Sequence, residues 1–166
     1  MERVRVTWRD SLQRINDLNA EFGDVPPLPA DNARALVALA ERAYGLTIPS
    51  EVIEFWDVQN GVEYDGNRLY RTDADLSVDI DPRDPSADGA LIACNLLWHE
   101  LPEHTRYTFL GDGNIDWFVY DTVSAKYLRL DKPSGDLVDA FETFREFLSA
   151  VLSGFMGITP DACRDS

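Results

Sequence analysis

Apolar residues recur every three to four positions in the first third of the chain and predict amphipathic helices there. In the first helix, which is expected to end near Gly23, they are Trp8, Leu12, Ile15, Leu18 and Phe22. A second helix follows Asp31, which we expect to cap its N-terminus, and is closed by Gly45. Residues 24–30 lie between the two helices and hold three prolines, so they are predicted to form a stiff, non-helical connector.

Residues 46–61, which read LTIPSEVIEFWDVQNG, are predicted to contain a third helix that leads into the strand-rich part of the chain. Pro49 presets the backbone for a helix start, and Ser50 can supply the capping oxygen. The apolar residues that gather on one face of this helix are Val52, Ile53, Phe55 and Trp56. Asn60 and Gly61 are expected to end it, because glycine readily adopts the left-handed conformation common at helix ends.

Residues 62–130 show the alternation of apolar and polar positions that is typical of β-strands. A hairpin is predicted over residues 62–70, with its turn at residues 65–67. Leu76, Val78 and Ile80 alternate with polar residues and predict a strand with one wet face. Residues 107–110, 115–120 and 126–131 predict a second, antiparallel meander. The apolar run at residues 90–98 fits either a buried strand or a short helix, and periodicity does not distinguish them.

The C-terminal part predicts one more helix and completes the fold class. Asp139 and Glu142 match a capping box for this helix. Its expected apolar face comprises Phe141, Phe144, Phe147, Leu148, Val151, Leu152 and Phe155. Helices, then antiparallel strands, then a helix predict an α+β fold, with a central, mostly antiparallel sheet flanked by N-terminal helices and a C-terminal helix. The length suits one domain over residues 1–158, and residues 159–166 are expected to form a polar tail.

Composition narrows the class of partner. The chain carries 30 acidic and 15 basic residues, for a net charge of −15. Such a surface repels nucleic acid and anionic membranes, and it suits a cationic partner. The alternative interpretation is that the negative charge only keeps the protein soluble. No apolar run is long enough to cross a bilayer, and the charged N-terminus does not resemble a secretion signal, so we expect a cytoplasmic protein. Cys94 and Cys163 are far apart in sequence and are expected to be reduced thiols.

Two segments resemble metal-binding motifs without meeting their requirements. His99 and His104 are separated by five positions with Pro102 between them, whereas a zinc-protease helix needs histidines four positions apart. Residues 112–116 resemble the start of a calcium loop, but Trp117 and Val123 stand where that loop needs glycine and glutamate. There is also no phosphate-binding loop and no nucleophile elbow. We therefore expect no metal, no cofactor and no enzymatic activity.

The most suggestive polar feature is a series of aspartates in the middle of the chain. They are Asp73, Asp75, Asp79, Asp81, Asp84 and Asp88. If residues 75–81 form a strand, three of these carboxylates share its outer face, and a basic partner would relieve their mutual repulsion. The other interpretation is an exposed edge strand protected against aggregation by its charges.

Three blocks, taken in order, resemble the SUKH superfamily, which includes the yeast cell-wall-synthesis regulator domain and many bacterial toxin-immunity proteins. The first is GLTIP at residues 45–49, followed by Phe55-Trp56 and Asn60-Gly61. The second is FLGDGN at residues 109–114, followed by WFVYD at residues 117–121, and the third is FETFREFL at residues 141–148. The resemblance spans roughly residues 36–152. The matching positions that we expect to determine the fold are Gly45, Pro49, Trp56, Asn60, Gly61 and Gly111.

The resemblance implies an α+β fold and a binding role without catalytic residues. Many bacterial members neutralise polymorphic or contact-delivered toxins, often enzymes that act on nucleic acid. We therefore expect an immunity protein whose aspartate series contacts a basic toxin domain. Two alternatives stay open: a regulatory adaptor of the same fold that binds a host protein, and a hydrolase with an unrecognised carboxylate site.

Overall fold

The computed structural model describes residues 6–158 of the chain. Its α-helices are α1 (Trp8–Ala20), α2 (Ala33–Tyr44), α3 (Val52–Trp56), α4 (Leu91–Trp98) and α5 (Phe144–Phe155). Its strands are β1 (Val62–Tyr64), β2 (Asn67–Leu69), β3 (Tyr107–Asp112), β4 (Asp116–Asp121), β5 (Lys126–Asp131) and β6 (Leu137–Phe141). Short 3₁₀-helices occur at Pro85–Ala87 and Pro102–His104. Cys163 and the predicted tail at residues 159–166 lie outside the described residues.

The six strands form one open antiparallel sheet in which spatial order follows chain order, β1-β2-β3-β4-β5-β6. Tight connections join the neighbouring strands, except between β2 and β3, where the chain makes a long excursion that includes α4. Helices flank the sheet, so the predicted α+β class is confirmed. The predicted hairpin and meander are also present.

Helices pack on both faces of the sheet because neighbouring strand residues point to opposite sides. Phe118 of β4 contacts Phe155 of α5, and α5 also packs against α1. The next residue back, Trp117, instead contacts Trp98 at the end of α4. The buried apolar side chains of both layers form one continuous cluster.

The apolar face predicted for the last helix is largely correct. Six of its members are buried, namely Phe144, Phe147, Leu148, Val151, Leu152 and Phe155. Burying one such side chain contributes about 1.5–3 kcal/mol, so this helix is a major source of core stability. The seventh, Phe141, belongs to β6. The predicted capping box is wrong: Asp139 lies in β6 and pairs with Arg129, and Thr143 caps α5 by accepting from the Glu146 amide at 3.2 Å.

The predicted ends of three further helices are corrected. The N-cap of α2 is Asn32, not Asp31, and its side chain donates to the Asp73 carbonyl instead of capping the helix. Helix α3 begins at Val52 with no side-chain cap, so Ser50 does not cap it, and it ends at Trp56, before Asn60. Phe22 lies beyond the end of α1 and is exposed.

The alternating residues at 76–80 do not form a strand. They belong to an irregular segment that is held by the hydroxyl group of Tyr44. This hydroxyl donates to the Ser77 carbonyl at 2.6 Å and accepts from the Ile80 amide at 3.1 Å. The apolar run at residues 90–98, which fitted either a buried strand or a short helix, forms helix α4 from Leu91 to Trp98.

The residues expected to determine the fold occupy constrained positions. Gly45 ends α2 with φ 64°, a left-handed conformation that favours glycine. A Cβ atom at Gly111 would lie 2.3 Å from the Arg68 carbonyl oxygen, so β2 and β3 approach closely only because this residue lacks a side chain.

Trp56 is buried and donates its indole N–H to the Tyr70 carbonyl at 3.0 Å. Pro49 accepts from the Val52 amide, Asn60 accepts from the Thr72 amide, and Gly61 has φ 92°.

Candidate partner-binding surface

The six aspartates of residues 73–88 do not share one face. They lie along the irregular segment between β2 and α4, which we call the acidic segment (residues 73–88), and their carboxylates have different local roles. Asp75 and Asp79 are exposed, and Asp81 accepts from the Arg83 amide at 3.0 Å. Asp84 caps the 3₁₀-helix at Pro85–Ala87, and its bonds from Ser86 lower the pKa of its carboxyl.

Asp73 is buried and is therefore removed from the predicted contact surface. Only 4% of its surface is exposed, and its two carboxylate oxygens accept from the amides of Ile92 and Ala93 at 2.8 Å and 3.2 Å. The Leu91 amide donates to the Arg71 carbonyl, so the first amides of α4 all have partners. Asp73 thus acts as a remote cap of α4. Burial raises the pKa of its carboxyl despite the lowering effect of these two bonds.

Asp88, the last member of the series, joins a polar network at the junction of β2, β3 and α4. Arg68 donates to Asp88 at 3.0 Å and to Asp112 at 3.3 Å. Asp112 also accepts from the Tyr70 hydroxyl at 2.5 Å, and that hydroxyl accepts from the Trp98 indole at 2.9 Å. Burial and the Asp112 charge together raise the pKa of Tyr70, which keeps its hydroxyl a donor. The network fixes Arg68 and Asp112 against the sheet.

This network opens into a groove between the end of α1, the proline connector and the β1–β2 hairpin. The groove consists of two adjoining depressions of about 310 Å³ and 450 Å³, which share Asn19, Asp24 and Glu63 as lining residues. We call it the hairpin groove. Its remaining lining residues include the connector, the segment at residues 59–62, the hairpin turn and Asp88-Gly89.

The hairpin groove is electronegative. Its lining includes five carboxylates, Asp24, Glu63, Asp65, Asp88 and Asp112, and two guanidinium groups, Arg68 and Arg71. Arg68 is already paired with two of the carboxylates, and Arg71 donates to the carbonyls of Ser86 and Asp88. Asp24, Glu63 and Asp65 are exposed, and no lysine or arginine within residues 6–158 forms a salt bridge with them.

An apolar border lies on the connector side of the groove, where Val25, Pro26 and Pro27 line it. Phe22, Val25 and Leu28 are 78%, 86% and 82% exposed, and Val25 lines the groove itself. The connector is non-helical, as predicted, and it is held in place rather than free. The Asn60 amide donates to the Leu28 carbonyl, and the Ala30 amide donates to the Trp56 carbonyl, both at 2.9 Å. A fixed apolar border next to carboxylates is typical of protein-binding surfaces.

Sequence reasoning missed four of the five groove carboxylates. Asp24, Glu63, Asp65 and Asp112 lie on separate elements and are brought together only by folding. Two of them carried a local signal: Asp65 as part of the hairpin turn, and Asp112 as the start of the calcium-loop-like stretch, and neither signal pointed to a partner contact.

The histidines have structural partners. The His99 Nε2 atom lies 2.6 Å from the Tyr107 carbonyl, and the His104 ring packs against Trp117 and Phe109. Across residues 6–158, no group of three or more potential metal-ligating His, Cys, Asp or Glu residues is arranged to hold a metal ion. Cys94 is buried, and burial raises the pKa of its thiol to about 11.

No helix in the described part of the chain has the length and apolar character needed to cross a membrane. Comparison of the chain with known protein families and with curated proteins finds no match.

Proposed function

We propose that this protein is a cytoplasmic immunity protein that binds and neutralises a polymorphic or contact-delivered bacterial toxin with a basic surface. The observation that carries the proposal is the exposed, electronegative and partly apolar hairpin groove beside the acidic segment. A toxin that acts on nucleic acid needs lysine and arginine to hold phosphates, and those side chains match carboxylates of a binding partner. The resemblance to the SUKH superfamily gives the proposal its biological direction.

The two acidic regions would contribute differently to binding. Asp75, Asp79 and Asp81 are exposed on an irregular segment, where charges mainly steer the approach of an oppositely charged partner. The groove has walls and an apolar border, and contacts in such places mainly slow dissociation. Charge removal from the acidic segment should therefore lower the association rate and its dependence on salt.

The test has two steps. The tagged protein is used to capture partners from extracts of its source cells, and each captured protein is then expressed alone and together with the intact chain. We expect at least one captured protein to stop growth when it is expressed alone, and co-expression to restore growth. A captured set that is harmless when expressed alone would refute the immunity function and favour the regulatory adaptor.

A control separates neutralisation from reduced expression of the toxin. A catalytically dead or otherwise harmless form of the captured protein should accumulate to the same level with and without this chain. Growth restored only through lower toxin levels would contradict direct neutralisation.

A further inference from the structure

We propose that the hairpin groove is the docking site for an extended segment of a partner protein that carries lysine or arginine side chains. This inference deepens the proposed function, because it assigns the partner contact to one place on the molecule. It also moves that contact away from most of the aspartates that stand out in the sequence.

The floor of the groove has free hydrogen-bonding capacity of one kind. Asn16 donates its side-chain N–H to the Gln59 side-chain oxygen at 2.8 Å, and Asn19 donates to the Glu63 carbonyl at 2.9 Å. Gln59 in turn donates to the Gly61 carbonyl at 2.9 Å. These amides direct N–H groups to the protein's own oxygens, whereas the Oδ1 atoms of Asn16 and Asn19 accept no hydrogen bond within residues 6–158. The floor therefore offers acceptors to a ligand rich in donors.

The rim of the groove carries negative charge on both sides. Asp24 stands on the connector side, whereas Glu63 and Asp65 stand on the hairpin side, so carboxylates face the groove from both sides. Lysine carries three donors and arginine five, and neither carries an acceptor. Such side chains match both the rim and the floor, whereas an acidic or acceptor-rich segment would be repelled.

The hairpin side of the groove restricts how a partner segment can bind. The exposed edge of β1 is a poor template for strand addition, because the strand spans only three residues and Asn19 already donates to the Glu63 carbonyl. Recognition must therefore rely on side chains rather than on a continued sheet. In an extended segment, alternate side chains point to the same side, so every second residue can reach the carboxylates. The residues between can contact the apolar border formed by Val25, Pro26 and Pro27.

Two charge-matched variants test the assignment. The groove variant combines Asp24→Asn, Glu63→Gln and Asp65→Asn, and the segment variant combines Asp75→Asn, Asp79→Asn and Asp81→Asn. Each loses the same formal charge, so the overall attraction to a cation falls equally. Asn is well suited to position 65, where φ is 51°, so the hairpin turn is retained. Circular dichroism and thermal unfolding check that both variants fold like the wild type.

The probe is a fluorescently labelled peptide of alternating lysine and serine, and binding is followed by fluorescence anisotropy at low and physiological salt. We expect the groove variant to bind about tenfold more weakly, since three charge contacts are lost, and the segment variant less than about twofold more weakly. Amide chemical-shift changes in the wild-type protein should centre on Asn19, Gly61 and Gly89. Equal weakening of both variants, or shifts centred on the acidic segment, would overturn the assignment.

The outcomes for the groove and for the proposed function can be separated, because the peptide assay involves no toxin. Specific binding of the peptide combined with capture of only harmless proteins would support the docking site and refute immunity. Capture of a toxin that binds both variants equally well would support immunity and refute the docking site.

Discussion

Replacement of Asp73 by alanine tests whether this carboxylate acts as a structural cap instead of a partner contact. The change removes the acceptors of the Ile92 and Ala93 amides at the start of α4. Alanine cannot replace them, and both amides lie in the interior of the protein. A variant with an exposed aspartate close by, Asp75→Ala, serves as the matched control.

The expected cost follows from two contributions. Loss of a helix cap costs about 1 kcal/mol, and a buried donor left without a partner costs about 1–3 kcal/mol. The replacement leaves two such donors, the Ile92 and Ala93 amides, and the loss of the cap is not added to this cost because it consists of the same hydrogen bonds. We therefore expect Asp73→Ala to lower the free energy of unfolding by about 3 kcal/mol. For a chain of this size the melting temperature should fall by roughly 6–12 °C. The control should stay within about 0.5 kcal/mol of the wild type.

The pH dependence gives a second, independent readout. Burial raises the folded-state pKa of Asp73 above its ordinary value of 3.8, so the native state holds this proton more tightly than the unfolded chain does. The stabilisation from this group is then largest at low pH and falls as the pH rises through the folded pKa. The difference between the wild type and Asp73→Ala should therefore grow on acidification towards pH 3.8.

The assay is urea unfolding followed by tryptophan fluorescence at several pH values. A loss of less than about 0.5 kcal/mol at neutral pH would refute the capping role. A difference that shrinks on acidification would show that the charged form is the favoured one, and would refute the argument from burial.

Three further predictions concern the core and the sheet. Gly111→Ala places a methyl group 2.3 Å from a backbone oxygen of β2 and should lower the free energy of unfolding by about 3 kcal/mol or more. Gly154→Ala, whose nearest contact is 3.9 Å away, should instead stabilise α5 by about 0.5–1 kcal/mol. Urea unfolding measures both changes. In a Cys163→Ser background, the Cys94 thiol, with its pKa near 11, should react with a disulfide reagent more than about a hundredfold more slowly in the native than in the unfolded protein. Comparable rates would contradict its burial. Burial opposes ionisation of Asp121, but the hydrogen bonds that its carboxylate accepts from Arg106 and Ser124 outweigh burial and lower its pKa. Asp121→Asn should therefore lower the free energy of unfolding by about 2 kcal/mol at neutral pH. The difference in stability between the wild type and Asp121→Asn should shrink as the pH falls below 3.8 and through the pKa of Asp121 in the folded protein. A difference that persists in acid would contradict the prediction.

Elements with a strong local pattern could be predicted from the sequence. The period of apolar residues located α1, α2 and α5, and the alternation of residues 115–120 located β4. The hairpin was predictable because Asp65 and Gly66 both adopt positive φ, which their residue types tolerate. In each case the information lies within one element.

The errors arose where contacts distant in sequence decide the conformation. Leu76, Val78 and Ile80 alternate like a strand, but no strand within residues 6–158 pairs with them, and Tyr44 holds the backbone in an irregular path. Strand β6 was missed because Phe141 continues the apolar period of α5, although its backbone pairs with β5.

The hairpin groove could not be predicted for the same reason. Its carboxylates come from the connector, the hairpin, the acidic segment and β3, and only the folded chain brings them together. The aspartates that stood out in the sequence were instead neighbours along the chain, and one of them, Asp73, proved to be part of the interior.

The single long excursion between β2 and β3 has a consequence for how the chain acquires its structure. Strands β3 to β6 need only short loops to close, so the entropy lost when they pair is small. Docking of the β1–β2 hairpin onto β3 must close the whole stretch from Leu69 to Tyr107, and it requires Gly111 to be in register with Leu69. Assembly should therefore proceed from the C-terminal meander, with the hairpin joining late. The groove beside that hairpin would then be among the last features of the surface to form.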